Sequence, residues 1–351
     1  MISASKAWLS SPIAKRHVPA DPPPSFSTYR RMACVPTLEP RLVVDSLRKD
    51  FGPVPALDGR MVRVLNGISL TAHAGSVTTL LGSNGAGKST TLGCAQGLLK
   101  PDGGSVRLLG RDPYDGGSLL RSRVGVMLQD GGLPPSVKPM ALLRHVAGMY
   151  ARPVNVDALA ERLGIDSFAH TTIRRLSGGQ RQRVGLAAAL VGNPEVVFLD
   201  EPSAGLDPQS RQTVFDLITE LRERGLCIVL TTHLMEDAQR LSDYVYIIDN
   251  GRNVAQGTVA ELTAQATTAS DSRTLAFTAA PGLVPPALHH AASLTEESAG
   301  HYRVEGIRSP EALAEITSWW TAQSILPTSI SMEPKNLEDV FLDIAAGGTH
   351  G

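Results

Sequence analysis

Short apolar runs recur along the chain, separated by longer amphipathic stretches. Arg41-Leu42-Val43-Val44-Asp45 and Ile68-Ser69-Leu70-Thr71-Ala72 alternate loosely, as half-buried strands do. Val77-Thr78-Thr79-Leu80-Leu81 is a short apolar strand that runs into a glycine-rich turn, and helical spacing follows over 88–99. Val124-Gly125-Val126-Met127-Leu128 reads as another strand, and 138–172 reads mainly as helices, with apolar positions at helical spacing and charges between them. Val196-Val197-Phe198-Leu199 and Cys227-Ile228-Val229-Leu230 are apolar throughout, with an amphipathic helix over about 208–224 between them. Strands of that kind alternating with helices imply a parallel sheet covered on both faces.

The texture changes near residue 265. Residues 265–272 are small and polar, as linkers are. Strand-like pieces follow at 274–278 and 301–304, then a helix over about 310–323, another strand near 329–332 and a last helix near 337–345, which together make a small separate α/β unit. The pair Trp319-Trp320 is expected in its core or packing surface. Residues 1–40 are rich in Ser and Pro and are expected to form a disordered tail. The expected division is therefore a tail at 1–40, a main domain at 41–264 and an accessory domain at 265–351.

Composition adds limits. With 33 basic and 34 acidic residues the net charge is −1, which argues against a dedicated nucleic-acid binder. No window approaches the roughly 18 uninterrupted apolar residues of a membrane helix, so any bilayer-spanning part is expected on another chain. Three scattered cysteines (Cys34, Cys94 and Cys227) make no disulfide framework and suit a reducing compartment. The basic residues near the start are not followed by an apolar core of signal-peptide length.

The chemistry concentrates in three places. Gly82-Ser83-Asn84-Gly85-Ala86-Gly87-Lys88-Ser89, followed by Thr90, fits G-x-x-x-x-G-K-[ST] between a strand and a helix. Its backbone N–H groups can turn inward around a phosphate, Lys88 can reach the β- and γ-phosphates, and the Ser89 hydroxyl can ligate Mg²⁺. The strand at 196–199 ends in Asp200-Glu201. Asp200 is placed as an outer Mg²⁺ ligand, and Glu201 is expected to diverge from it by strand alternation, free to orient or deprotonate the attacking water. Alone, an apolar strand ending in two acids is ordinary surface; the upstream phosphate loop changes that reading. Leu176-Ser177-Gly178-Gly179-Gln180 opens a long helical run, making a second anion-binding helix end.

In this order the motifs resemble the nucleotide-binding subunits of ABC transporters, over about 41–262. The resemblance implies an α/β P-loop fold of the ABC ATPase type: a parallel-sheet core, an antiparallel β subdomain, a helical subdomain at about 130–190 and a small C-terminal α/β extension. It implies ATP and Mg²⁺ as ligands. Gln129 is then the Q-loop residue, touching Mg²⁺ and the water and sensing a membrane partner. Glu201 is the catalytic glutamate and His233, in Thr231-Thr232-His233, contacts the γ-phosphate. Ser177, Gly178, Gly179 and Gln180 serve the nucleotide of a second copy, and Asp207 works across that dimer. Phe51 falls where the family stacks an aromatic on adenine, although the family favours Tyr and the stretch 53–63 is longer than usual.

Three details resemble exporters of the ABC-2 branch, especially the ATPases of daunorubicin-type antibiotic resistance: Gln129-Asp130-Gly131-Gly132-Leu133-Pro134-Pro135-Ser136, then Asp249-Asn250-Gly251-Arg252 with Ala255-Gln256-Gly257-Thr258, and the terminal Glu333-Pro334-Lys335-Asn336-Leu337-Glu338-Asp339-Val340-Phe341-Leu342. The implied protein is a peripheral subunit on the cytoplasmic face of the membrane. It powers a separate transmembrane permease as a homodimer or a heterodimer with a paralogue, with no nucleic-acid partner. Three other readings remain at this stage: export of lipid or polysaccharide, a soluble ABC ATPase of translation or DNA repair, and a regulatory nucleotide binder that does not hydrolyse.

Overall fold

The computed structural model describes residues 39–54, 60–127, 132–269, 273–283, 288–289, 293–307, 309–333 and 337. Gln129, the tail at 1–38 and nearly all of the terminal motif and helix beyond 333 lie outside the described residues. The chain divides into two compact units. One runs to His233 and includes Ile248–Asn253; the other comprises Leu234–Ile247 and the residues from Val254 onward.

The first unit opens with a long antiparallel hairpin, β1 (Pro40–Val54) and β2 (Arg60–His73). Phe51 lies within that ladder, opposite Val62. The next strand, β3 (Val77–Leu81), is buried at every position. Helix α1 (Lys88–Ala95) is shorter than its periodicity suggests, because the chain turns away through Gly97 at φ +75. A Cβ there would lie 2.3 Å from the Pro113 carbonyl oxygen. Strand β4 (Gly103–Leu108) then joins β1 to complete a three-stranded antiparallel sheet. Only Val106 and Leu108 of β4 are buried, so its sequence carries little strand pattern.

After the short α2 (Gly117–Arg121) comes β5 (Val124–Met127). The helical stretch resolves into α3 (Pro139–Ala147), which has proline in its first turn, and α4 (Val156–Arg162), capped by the Asn155 side chain accepting from Ala158 N. Helix α5 (Gly178–Leu190), strand β6 (Val196–Asp200), helix α6 (Pro208–Glu223) and strand β7 (Cys227–Thr232) follow. Strands β5, β6, β7 and β3 pair in parallel in that order. Every residue of β6 and β7 is buried, as expected for strands covered on both faces.

The remaining strands before the terminal sheet are β8 (Tyr244–Asp249) and β9 (Arg252–Gly257). Asn250 and Gly251 join them, both at positive φ (45 and 70), which is the requirement of a type I′ hairpin turn. This turn belongs to the first unit: Gly251 N donates to Ala86 O at 3.1 Å, and Asn66 N to Gly251 O at 2.8 Å.

The second unit contains α7 (Met235–Leu241) and α8 (Val259–Ala269). Helix α8 overruns the linker expected at 265–272; Thr258 caps it, its hydroxyl accepting from Glu261 N while Glu261 accepts from Thr258 N. A four-stranded antiparallel sheet follows, with β10 (Arg273–Thr278), β11 (Ser293–Ser298), β12 (His301–Ile307) and β13 (Ser329–Glu333) in the order β11-β12-β10-β13. Strand β11 is a mostly exposed edge of sequence SLTEES, so hydrophobic alternation gives it no signature. Helix α9 (Pro310–Ala322) buries Ala312, Ile316, Trp319 and Trp320 against Leu275, Phe277, Tyr302 and Val304. Phe277 stacks on Tyr302 and meets Trp320 edge-on, each at 5.0 Å between ring centroids.

Candidate functional site

The site begins at the end of β3, where the chain must reverse tightly into α1. Gly87 supplies the reversal at φ +104, and a Cβ there would press on Leu65 Cδ2 at 2.8 Å. A Cβ at Gly82 would lie 2.3 Å from Ile248 O, so only glycine lets the β8–β9 segment close on the loop. Ala86 N donates to Ser83 O at 3.2 Å, folding Ser83, Asn84, Gly85 and Ala86 into a turn ahead of the helix. Ser89 and Thr90 stand in the first turn of α1.

Lys88 is buried, and its Nζ donates to Gly82 O at 2.8 Å and Ser83 O at 3.0 Å. Burial pulls its pKa below the ordinary lysine value, while the nearby Glu201 and Asp200 carboxylates oppose that shift. A cation held on the carbonyls of a glycine loop, beside two carboxylates, is suited to transfer onto phosphate oxygens.

Ser89 Oγ lies 3.4 Å from Asp200 Oδ1, across 111 residues of sequence. The same carboxylate oxygen accepts from Thr231 Oγ1 on the neighbouring strand β7. A hydroxyl and a carboxylate together form the hard-oxygen, incomplete ligand set that Mg²⁺ takes when nucleotide phosphates and water supply the rest. Among the described residues no group of three or more His, Cys, Asp or Glu could hold a metal alone. The residues present therefore suit a Mg²⁺–nucleotide complex.

Glu201 does diverge from Asp200, for a different reason from the one the strand pattern suggests. Strand β6 ends at Asp200, and Glu201 takes a left-handed conformation at φ 50. Its backbone N lies 3.2 Å from both Thr231 O and Thr231 Oγ1. Its carbonyl accepts from Gln182 Nε2. Its buried carboxylate lies 3.0 Å from His233 Nδ1. The expected base and the expected γ-phosphate residue are thus already in contact. Sequence reading passed over Thr231 and Gln182. The only signal for Thr231 was its place in Thr231-Thr232-His233, and for Gln182 its place just beyond the Ser-Gly-Gly-Gln helix start.

The remaining expected residues lie elsewhere in the first unit. Ser177 and Gln180 form a capping box on α5: Gln180 N donates to Ser177 Oγ at 3.2 Å and Ser177 N to Gln180 Oε1 at 3.0 Å. Gly179 fits closely against the loop after Glu201, where a Cβ would lie 3.0 Å from Leu206 Cδ2. Nothing within 4 Å would meet a Cβ on Gly178. Asp207 caps α6, accepting from Ser210 N at 3.0 Å and Ser210 Oγ at 2.6 Å, and these bonds hold its pKa below the ordinary value. Phe51 is partly exposed, with Lys49 Nζ 5.5 Å from its ring centroid. A cavity of about 800 Å³ opens among Val126, Met127, Leu133, Pro135, Arg181 and Ala204.

Comparison with known proteins agrees with this geometry. The ABC transporter family profile matches residues 65–204. The chain is similar to the Nod factor export ATP-binding protein I of Cupriavidus pinatubonensis, 38% identical over 228 residues that cover 64% of this chain and 68% of that protein. It is also similar to the daunorubicin resistance ATP-binding protein DrrA3 of Streptomyces coeruleorubidus, 37% identical over 230 residues, 64% of this chain and 70% of that protein. A solved ATP-binding subunit of an ABC transporter matches with 27% identity and a TM-score of 0.57, covering 65% of this chain and 93% of its own.

Proposed function

The chain belongs to the ATP-binding subunits of ABC transporters, and from that premise we propose that it uses ATP hydrolysis to drive export through a separate membrane permease. The observation that carries this reading is the single cluster of Lys88, Ser89, Asp200, Glu201 and His233 at the ends of β3, β6 and β7. In it, the backbone of Gly82, Ser83, Asn84, Gly85, Ala86 and Gly87 cradles the phosphates, with Thr90 at the helix start. Lys88 moves from the loop carbonyls to the phosphate oxygens. Ser89, Asp200 and Gln129 would hold Mg²⁺, which when bound would offset the phosphate charge. Glu201 accepts a proton from the attacking water, and His233 orients Glu201 and contacts the γ-phosphate.

Ser177, Gly178, Gly179 and Gln180 act on the nucleotide of a second copy or a paralogue, with Asp207 at the same junction, and Phe51 stacks on adenine. The cassette occupies 41–264, with its helical part at about 130–190, and 265–351 is an accessory domain. The cavity among Met127, Leu133 and Pro135 supports docking of a helix from the permease. No helix among the described residues is long and apolar enough to cross a membrane, so the reading places the spanning part on that partner and this chain at the cytoplasmic face. One named relative serves daunorubicin resistance and the other Nod factor export; the cargo proposed here is a drug or antibiotic.

The test is Glu201→Gln. It should keep ATP binding while turnover falls by about a hundredfold or more, as loss of a general base does. Turnover equal to that of the parent chain would refute the assignment of Glu201 as base.

A further inference from the structure

Glu201 has a conformation that its own residue type disfavours. A non-glycine residue at positive φ is strained and persists only where its surroundings determine it. Its surroundings do so through Thr231 on the backbone N–H, His233 on the carboxylate, and both the Gln182 side chain and Ala204 N (3.2 Å) on the carbonyl. The first two lie on or just beyond β7. Gln182 comes from α5, the helix that begins at the Ser177 capping box. That helix is seated against the loop after Glu201, through Gly179 against Gly205 and Leu206. Gln182 therefore ties this helix directly to the backbone of Glu201.

We propose that Gln182 is a positioning residue for hydrolysis: its side-chain amide holds the Glu201 carbonyl, keeping the left-handed backbone that turns the Glu201 carboxylate toward His233. The proposal rests on Glu201 being the general base. The carbonyl fixes one side of the Glu201 peptide and Thr231 the other; removing the amide donor leaves the carbonyl on Ala204 N alone, a bond within the same turn, and cuts its tie to α5, so ψ of Glu201 is held less tightly and the residue can relax toward an unstrained conformation. The carboxylate then leaves its place beside His233 and Lys88, while the phosphate loop, held by Lys88 Nζ and Gly251 rather than by α5, keeps its shape. Nucleotide binding and hydrolysis should separate accordingly. Because Gln182 lies within the first turns of α5, a shift of that helix's N-terminal end reaches Glu201 through one side chain.

The test uses the full chain. Gln182→Leu keeps the approximate volume and removes the donor. It should lower kcat between about tenfold and a hundredfold, the scale of a displacement of about 1 Å at a reacting group, with KM for ATP within about twofold of the parent. Gln182→Lys, which restores a donor of sufficient reach, should recover most of the rate and also serves as the test if the leucine chain is poorly folded. In a Glu201→Gln background, Gln182→Leu should cause no further loss in single-turnover hydrolysis, because its effect runs through Glu201. The proposal falls if Gln182→Leu turns over within about twofold of the parent, if KM rises as much as kcat falls, or if the loss is undiminished when Glu201 is already Gln. If Glu201→Gln itself is fully active, the general-base reading fails and this proposal with it. An inactive Glu201→Gln beside a fully active Gln182→Leu removes the role of Gln182 alone.

Discussion

Residue by residue, the active cluster depends on burial as much as on identity. Lys88 is kept from solvent beside two carboxylates, which favours a cation that moves readily onto phosphate. The same burial acts oppositely on the thiols. It pushes Cys94, behind the phosphate loop on α1, up to about 11 and Cys227, on β7, up to about 12. A thiol ionises poorly below its pKa, and only the thiolate reacts. In a Cys34→Ser chain, a disulfide-exchange reagent at pH 8 should therefore titrate no thiol until denaturant is added, and then two. A thiol reacting rapidly in the folded chain would contradict the burial of one of these residues.

At the scale of elements, the parallel sheet is held in register where its strands enter as well as along their length. Arg123, just before β5, bonds Glu195, just before β6, through Nε at 2.5 Å and Nη2 at 2.8 Å, and its carbonyl accepts from Glu195 N at 2.8 Å. That bidentate pair stands beside the first ladder partners, Val124 and Val196. The Arg123 guanidinium holds the Glu195 carboxylate below its ordinary pKa of 4.5, against a smaller opposing effect of burial. A carboxylate with a lowered folded-state pKa stabilises the fold above the unfolded-state value, and that stabilisation disappears as pH falls through the folded-state value. Both side chains are partly exposed, at 42% and 33%, so the pair contributes about 0.5–1 kcal/mol. Arg123→Ala should destabilise the chain by that amount at pH 7 in denaturant unfolding. The difference should shrink below pH 4.5 as Glu195 protonates in both chains. A difference independent of pH would mean that packing by the arginine stem, not charge, is what is lost.

At the scale of the whole molecule, the proposed second anion end on α5 and the phosphate loop of the same chain serve different nucleotides, so a complete site needs two copies. With Glu201→Gln blocking hydrolysis, Mg²⁺–ATP should convert the chain from monomer to dimer in sedimentation velocity, and chelating Mg²⁺ should reverse the shift. A chain that remains monomeric at saturating ATP would oppose the two-copy site. The permease reading has its own measurement: the chain expressed with a neighbouring polytopic membrane protein should purify with it, whereas capture on ribosomes or DNA would favour the soluble alternative.

Sequence alone determined the parts of this protein whose physics is local. A glycine-rich turn between an apolar strand and a helix is specified by conformational freedom and periodicity within about a dozen residues. The phosphate loop, Asp200, the buried strands and the helix start at Ser177 were legible on that basis, and the order of the motifs identified the family. The course of β11 and β4 was not legible, because exposed edges need no apolar alternation, nor was the end of α8, whose last residues are small and polar. Tertiary structure decided the links between distant segments. Ser89 reaches Asp200 across 111 residues, His233 meets Glu201 across 32, and Gln182 reaches its carbonyl across 19. Those contacts depend on strand register, on the seating of α5 against the loop, and on the left-handed turn at Glu201. No periodicity encodes that turn; the surrounding packed elements hold it.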